Sequence, residues 1–292
     1  MNSVPVIFFE GVASQFCYNE TLLTARNLRG MPGRVISNAY ANSYVHNMWL
    51  KNGRLVNEQN YNYGHQPVDI KTHSRKHLQY VAVTIRADVE EYSTDPEAME
   101  RVLSATKGKH VLLNFETPNI SEEIAKCVES IRLVFDLKVE AKITSDVLKV
   151  MRSLVKKNTL NDITISESEK IEDETAQLLV DLLKQKQFHG MFLRGKCSAV
   201  LKTLIASWKE NSEEMVGKRI SCKEEFPELN LSSTEFPFEE CTEEEELDAR
   251  SAYYSPRYWP YITTKSVLRI QKRIIYCISL PSAEFKTKFM FA

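Results

Sequence analysis

Two histidines, His73 and His77, sit four residues apart, the spacing that puts two imidazoles on one face of a helix and can begin a zinc site. Lys71, Arg75 and Lys76 crowd the pair with positive charge, which repels a cation, so no metal is expected there. The six His and six Cys show no C-x2-C, no H-E-x-x-H and no D-x-D loop. Cys197 follows Gly195 and Lys196 at an expected helix start, where a thiolate would be stabilised, and His189 lies on the preceding strand. A hydrolase could be drawn from that pair, but a small Cys packed inside a repeat is the plainer reading. No G-x-S-x-G elbow occurs. ATKGKH carries a Gly-Lys but lacks the earlier glycine and the following Ser/Thr of a phosphate loop, so it reads as a tight turn before a strand. Carboxylates are abundant, yet none is paired in an apolar stretch that would raise its pKa. The chemistry-bearing residues therefore point to a non-enzymatic protein with no catalytic residue, cofactor or metal.

Apolar spacing carries more information. Val147, Val150, Met151, Leu154 and Val155 form a helical stripe, as do Leu179, Val180 and Leu183, and Leu201, Leu204, Ile205 and Trp208. Strand-like runs alternate with these helices: HVLLNF, RLVFDLKV, TLNDITIS, QFHGMFLRG and GKRISCK. Leu160, Ile163 and Ile165 follow L-x-x-I-x-I, Phe188, Met191 and Leu193 repeat it 28 residues later, and Phe135 and Leu137 precede it by 28. One strand and one helix per 20–30 residues is the mark of a leucine-rich-repeat-like solenoid, with parallel strands. A three-layer α/β domain with parallel strands is the other reading of the same pattern.

Around this core, residues 1–48 read as helical and irregular, broken at Gly30, Pro32 and Gly33. Helical stretches are expected over Val4–Phe16, Glu20–Leu28 and Val35–Val45. Residues 49–105 read as a β-rich connector, with a hairpin at Asn52-Gly53 and a strand over 79–87. The repeat core spans 106–225. Residues 226–292 hold an acidic loop and a β-rich C-terminal cap. The cap includes YYSPRYWPY, where Tyr254, Arg257, Tyr258 and Trp259 are of the types enriched at interface hot spots. Packing of Trp259 and Tyr261 against the end of the array is the competing reading.

The chain has 292 residues, with 38 Lys plus Arg against 39 Asp plus Glu. That balance offers no global field for nucleic acid. Scattered cysteines argue for reduced thiols in the cytoplasm or nucleus, where the sequons at Asn19, Asn119 and Asn230 carry no sugar. SVPVIFFEGV near the start lacks the basic flank of a signal peptide, and no window supplies the roughly 20 apolar residues of a membrane span. Val4, Phe8, Phe9, Val12 and Phe16 recur at three and four, one face of a helix with Pro5 in its first turn. That face covers its own core or a partner's groove.

The opening V-P-x-x-F-F-x-x-V, followed by Leu22, Leu23 and Leu28, resembles a divergent F-box. With the strands near Trp49, the βα repeats and T-x-K-S-V-L-R-I over residues 263–270, the chain resembles the nematode F-box and F-box-associated proteins. The resemblance implies a substrate-recognition adaptor. Val4, Pro5, Phe8, Phe9 and Val12 would contact a Skp-family adaptor, linked to a cullin ubiquitin ligase. The repeat domain would capture a target protein. The alternative is a protein-binding scaffold with no ubiquitin link, its N-terminal helix packed in its own core.

Overall fold

The computed structural model describes residues 30–62, 65–69, 75–166, 171–196, 198–223, 239–240, 242, 263–270, 273–279 and 287–291. The predicted contacts Val4, Pro5, Phe8, Phe9 and Val12, and Tyr254, Arg257, Tyr258 and Trp259, lie outside these residues, as do His73 and Cys197. The fold is α/β, and the chain divides into two compact units, residues 1–135 and 136–292.

In the first unit, α1 (Gly30–Asn42) contains the Gly-Pro-Gly segment that the sequence marks as a break. Pro32 stands in the first turn, where a missing N–H costs nothing. The helix stops at Asn42, not at Val45, and the chain enters β1 (Tyr44–Lys51) directly. The strand is mostly buried, as the β-branched and aromatic residues of YVHNMWLK favour. Asn52 and Gly53 then turn with φ of 48° and 72°, the positive pair a type I′ hairpin requires. A Cβ on Gly53 would sit 2.7 Å from the Thr94 Cα, so glycine is also needed for space. The returning strand is β2 (Arg54–Asn62), antiparallel to β1. Val56 has no partner on β1: Trp49 pairs with Asn57 and Leu50 with Leu55, which makes Val56 a bulge.

β3 (Leu78–Arg86) runs parallel to β1, and β4 (His110–Phe115) parallel to β3. Residues 78–86 thus belong to the parallel sheet. Between β3 and β4 lies α2 (Pro96–Thr106), a helix inside the segment expected to be β-rich. Its signals are local: Asp95 accepts from the Glu97 N–H as N-cap, Pro96 opens the first turn, and Ala98, Met99, Val102 and Thr106 are buried on one face. α3 (Glu122–Ser130) follows β4, capped by Ser121 through the Ile124 N–H.

β5 (Val134–Val139) carries the division between the units, after Phe135. In the second unit, α4 (Ser145–Lys156), β6 (Asp162–Ile165), α5 (Asp173–Leu183), β7 (Gly190–Leu193), α6 (Ser198–Asn211) and β8 (Arg219–Cys222) alternate. Strands β5 to β8 pair side by side, all parallel. Leu160, Ile163, Ile165, Phe188, Met191, Leu193 and Trp208 are fully buried, each burial stabilising by roughly 1.5–3 kcal/mol. Ile163 pairs with Met191, the predicted step of 28, but Leu137 pairs with Ile163 and Val139 with Ile165, a step of 26. The expected alignment of Phe135 and Leu137 with Ile163 and Ile165 is thus two residues off. Two residues preserve the in-out alternation, so the apolar pattern alone does not detect the slip.

The chain then supplies β9 (Glu239–Glu240), β10 (Thr263–Ile270), β11 (Arg273–Ser279) and β12 (Thr287–Phe291). From β8 the order is β12, β11, β10, β9, every pair antiparallel. Phe289 is buried and pairs with Ile220.

One device recurs between repeats. Gly108-Lys109 and Gly217-Lys218 each precede a strand, with glycine φ of 68° and 79°. Each lysine then reaches back about one repeat to backbone carbonyls. Lys109 Nζ donates to Arg75 O at 3.1 Å and Leu78 O at 3.0 Å. Lys218 Nζ donates to Gln185 O at 2.8 Å, to Lys186 O at 3.2 Å and to Phe188 O. Gln185 repeats the reach with Nε2 on Val155 O at 2.7 Å. The Gly-Lys of ATKGKH is therefore a turn followed by an inter-repeat tie.

Candidate interaction face

Alternation along β5 to β8 separates two sets of side chains. One set, including Leu137, Val139, Ile163, Ile165, Met191, Leu193, Ile220 and Cys222, is fully buried. The other is polar or aromatic and lies in rows across the strands. Asp136, Asp162, Gly190 and Arg219 make one row, and Lys138, Thr164, Phe192 and Ser221 the next. Glu140 and Arg194 follow the strand ends and stay about 30 % exposed. Phe192 is half-buried, an unusual setting for a phenyl ring at the centre of a polar row.

The charges on this face are arranged in pairs. Arg219 lies 3.8 Å from Asp162 Oδ1, and its guanidinium stands 5.9 Å from the centre of the Phe192 ring, within cation–π range. Lys138 is paired with Glu140, and Arg194 approaches the same carboxylate at 3.9 Å. β7 runs between β6 and β8, so Arg219 reaches Asp162 across Gly190. A Cβ at that glycine would fall 2.7 Å from Asp162 Oδ1 and 2.9 Å from Arg219 Nε. Gly190→Ala is expected to cost about 1 kcal/mol by displacing Arg219. It should also erase the coupling between positions 162 and 219 in a double-mutant cycle. Coupling equal to that of the wild type would refute the role given to Gly190.

Asp136 is the perturbed group of the face. Burial pushes its carboxyl up to about 7, the neighbouring Asp162 carboxylate adds to the rise, and Lys138 opposes it. Three carboxyls, two guanidiniums, an ammonium and a phenyl ring can read a protein surface by charge and stacking. They do not assemble a nucleophile with a base. His189 is exposed before β7, and its backbone N–H donates to Asn161 O at 2.6 Å. Among the described residues no three His, Cys, Asp or Glu gather as metal ligands. Also among them, no helix is long and apolar enough to cross a membrane.

No family model, no curated protein and no solved structure matches this chain. The apolar positions of L-x-x-I-x-I do not single out the residues of the face. The intervening positions hold Asp162 and Thr164 in one repeat and Gly190 and Phe192 in the next, which was the available signal.

Proposed function

We propose that the chain is a non-enzymatic protein-recognition module that captures a target protein on the polar face of β5 to β8. The observation that carries the reading is the set of partly exposed charged and aromatic side chains in rows on four adjacent parallel strands. Stacked βα units use such surfaces to bind proteins, and here the strands are read as leucine-rich-repeat-like. Aromatic and arginine side chains near the centre of a patch dominate binding energy, which singles out Phe192 and Arg219. With the F-box-like V-P-x-x-F-F-x-x-V at its start, the module is proposed to serve as the substrate-recognition adaptor of a Skp/cullin/F-box ubiquitin ligase. The second reading is a scaffold with no ubiquitin link, favoured by the absence of a full F-box signature around Pro5.

Two arms test the proposal. Purified full-length chain is incubated with a Skp-family adaptor and compared with the Pro5→Ala/Phe8→Ala variant. Retention of adaptor by wild type and its loss in the variant are expected. If wild type retains none, the ubiquitin link is wrong and the scaffold reading takes its place. Proximity labelling in cells, comparing wild type with Phe192→Ala/Arg219→Glu, tests the face. Loss of the same labelled proteins in the variant is expected, and an unchanged set would remove the face from the proposal.

A further inference from the structure

A cavity of about 350 Å³ lies in the first unit, over the β1–β2 hairpin and beside the end of α2. Its size is at the lower end of small-molecule sites. Tyr44, Leu78 and Ala105 give it apolar walls, and the polar groups are concentrated in His46, Glu58, Arg75 and Arg101.

These polar groups form a built arrangement. His46, which is 7 % exposed, holds Asn60 Oδ1 at 2.7 Å through Nδ1 and Glu58 Oε1 at 3.0 Å through Nε2. Glu58 Oε2 takes Arg101 Nη2 at 2.5 Å. Each oxygen of Glu58 thus has a basic partner, and its charge is answered within the cluster. Arg75 anchors on the other side. Its Nη2 donates to Ser104 O and Ala105 O at 3.1 Å and to Lys107 O at 3.2 Å, at the carbonyl end of α2. One nitrogen makes all three bonds, and a guanidinium has five N–H donors in all. Two guanidiniums against one carboxylate leave the mouth positive. The charge of Arg75 reaches inward: it opposes the burial-driven rise at Tyr44 and lowers Lys109, whose pKa burial already depresses.

We propose that this cavity binds a small organic anion, a carboxylate or phosphate on a compact apolar body, with the body against Tyr44 and Leu78 and the anion between Arg75 and Arg101. Arg101 supplies the specificity because it is exposed and, among the described residues, is tethered through Glu58. His46 is a positioning residue that fixes Glu58. The site is separate from the polar face of the second unit, so the two proposals stand or fall independently.

Titration of the full chain by heteronuclear NMR or calorimetry tests the site, with benzoate, phenyl phosphate, benzyl alcohol and benzylamine as probes. Saturable binding of at least one anion is expected, with the alcohol at least tenfold weaker and the amine not bound. Arg101→Gln, at an exposed position, should leave thermal unfolding unchanged and weaken the anion at least tenfold. Ala105→Trp should fill the cavity and abolish binding. The proposal is overturned if neither anion binds. It is equally overturned if benzylamine binds as well as benzoate, or if both variants bind the anion like wild type.

Discussion

Replacing Lys218 with Met is expected to lower the unfolding free energy by about 2–4 kcal/mol, seen as a lower denaturant midpoint at unchanged slope. Lys218 is 6 % exposed, and the partners of its ammonium are three backbone carbonyls between Gln185 and Phe188. Burial depresses its pKa, the sign of a cation held by dipoles where a full counter-charge would be the usual arrangement. Methionine keeps the stem and its packing, so the loss reports on the head group. The carbonyls follow α5, whose last turn also directs negative dipole toward the ammonium. Once it is removed, Phe188 O loses a buried donor and Lys186 O a part-buried one, while Gln185 O keeps the Phe188 N–H, and a buried carbonyl left without its donor costs about 1 kcal/mol or more. Hydrogen exchange locates the effect: amides of residues 185–190 and of β8 should lose protection first, with α4 unaffected. A midpoint within about 0.5 kcal/mol of wild type would mean that the three contacts are incidental.

The same lysine shows what a sequence reading reaches and where it stops. GKRISCK reads as a strand, and nothing local says that Lys218 points back toward residues 185–188. Gly-Lys recurs at 108–109 and at 195–196, and the ties described above are made at 108–109 and 217–218. The elements themselves were legible wherever the apolar period was strong, as in α4, α5, α6 and the strands between them. α2 is marked by Asp95-Pro96 and a buried stripe, but it lies inside a β-rich stretch whose pattern predicts strand. SVLRIQKRIIYCISL carries no Gly or Asn, so it offers no turn signal although Ile270 pairs with Arg273 across β10 and β11.

The cavity was less legible still, for a geometric reason. A two-residue Asn-Gly turn without irregularity would pair His46 with Gln59. The extra residue Val56 shifts the register by one, so that His46 meets Asn60 and Met48 meets Glu58. A shift of one turns every later side chain of β2 to the opposite face. The bulge alone therefore places Glu58 and Asn60 beside His46, and no rule of turn chemistry predicts a bulge at that position.

On the polar face the largest effect is expected from Asp136→Asn, and its sign depends on pH. An unfolded Asp titrates near 4, while the folded-state carboxyl is pushed up to about 7 by burial first and by Asp162 second. Below about pH 4 both states hold the proton, and the group does not bias folding. Between about 4 and 7 the folded state holds a proton that the unfolded chain has released. Stability at this site therefore falls as pH rises through that window, and the loss is complete above about 7. Asparagine keeps the shape and removes the charge, so the variant should match wild type near pH 4. At pH 8 it should exceed wild type by about 1–3 kcal/mol, a range that allows for the partial solvent exposure of the site. Urea melts at pH 4, 6 and 8 decide the matter. A gain of equal size at all three would trace to packing or hydrogen bonding, and no gain at pH 8 would show that solvent already relieves the pair. On the proposed target-binding face, a cationic side chain of the partner docked at Asp136 would relieve that cost. Binding of a basic partner on this face should thus release a proton from Asp136 near neutral pH, and the Asn variant should bind with no such release.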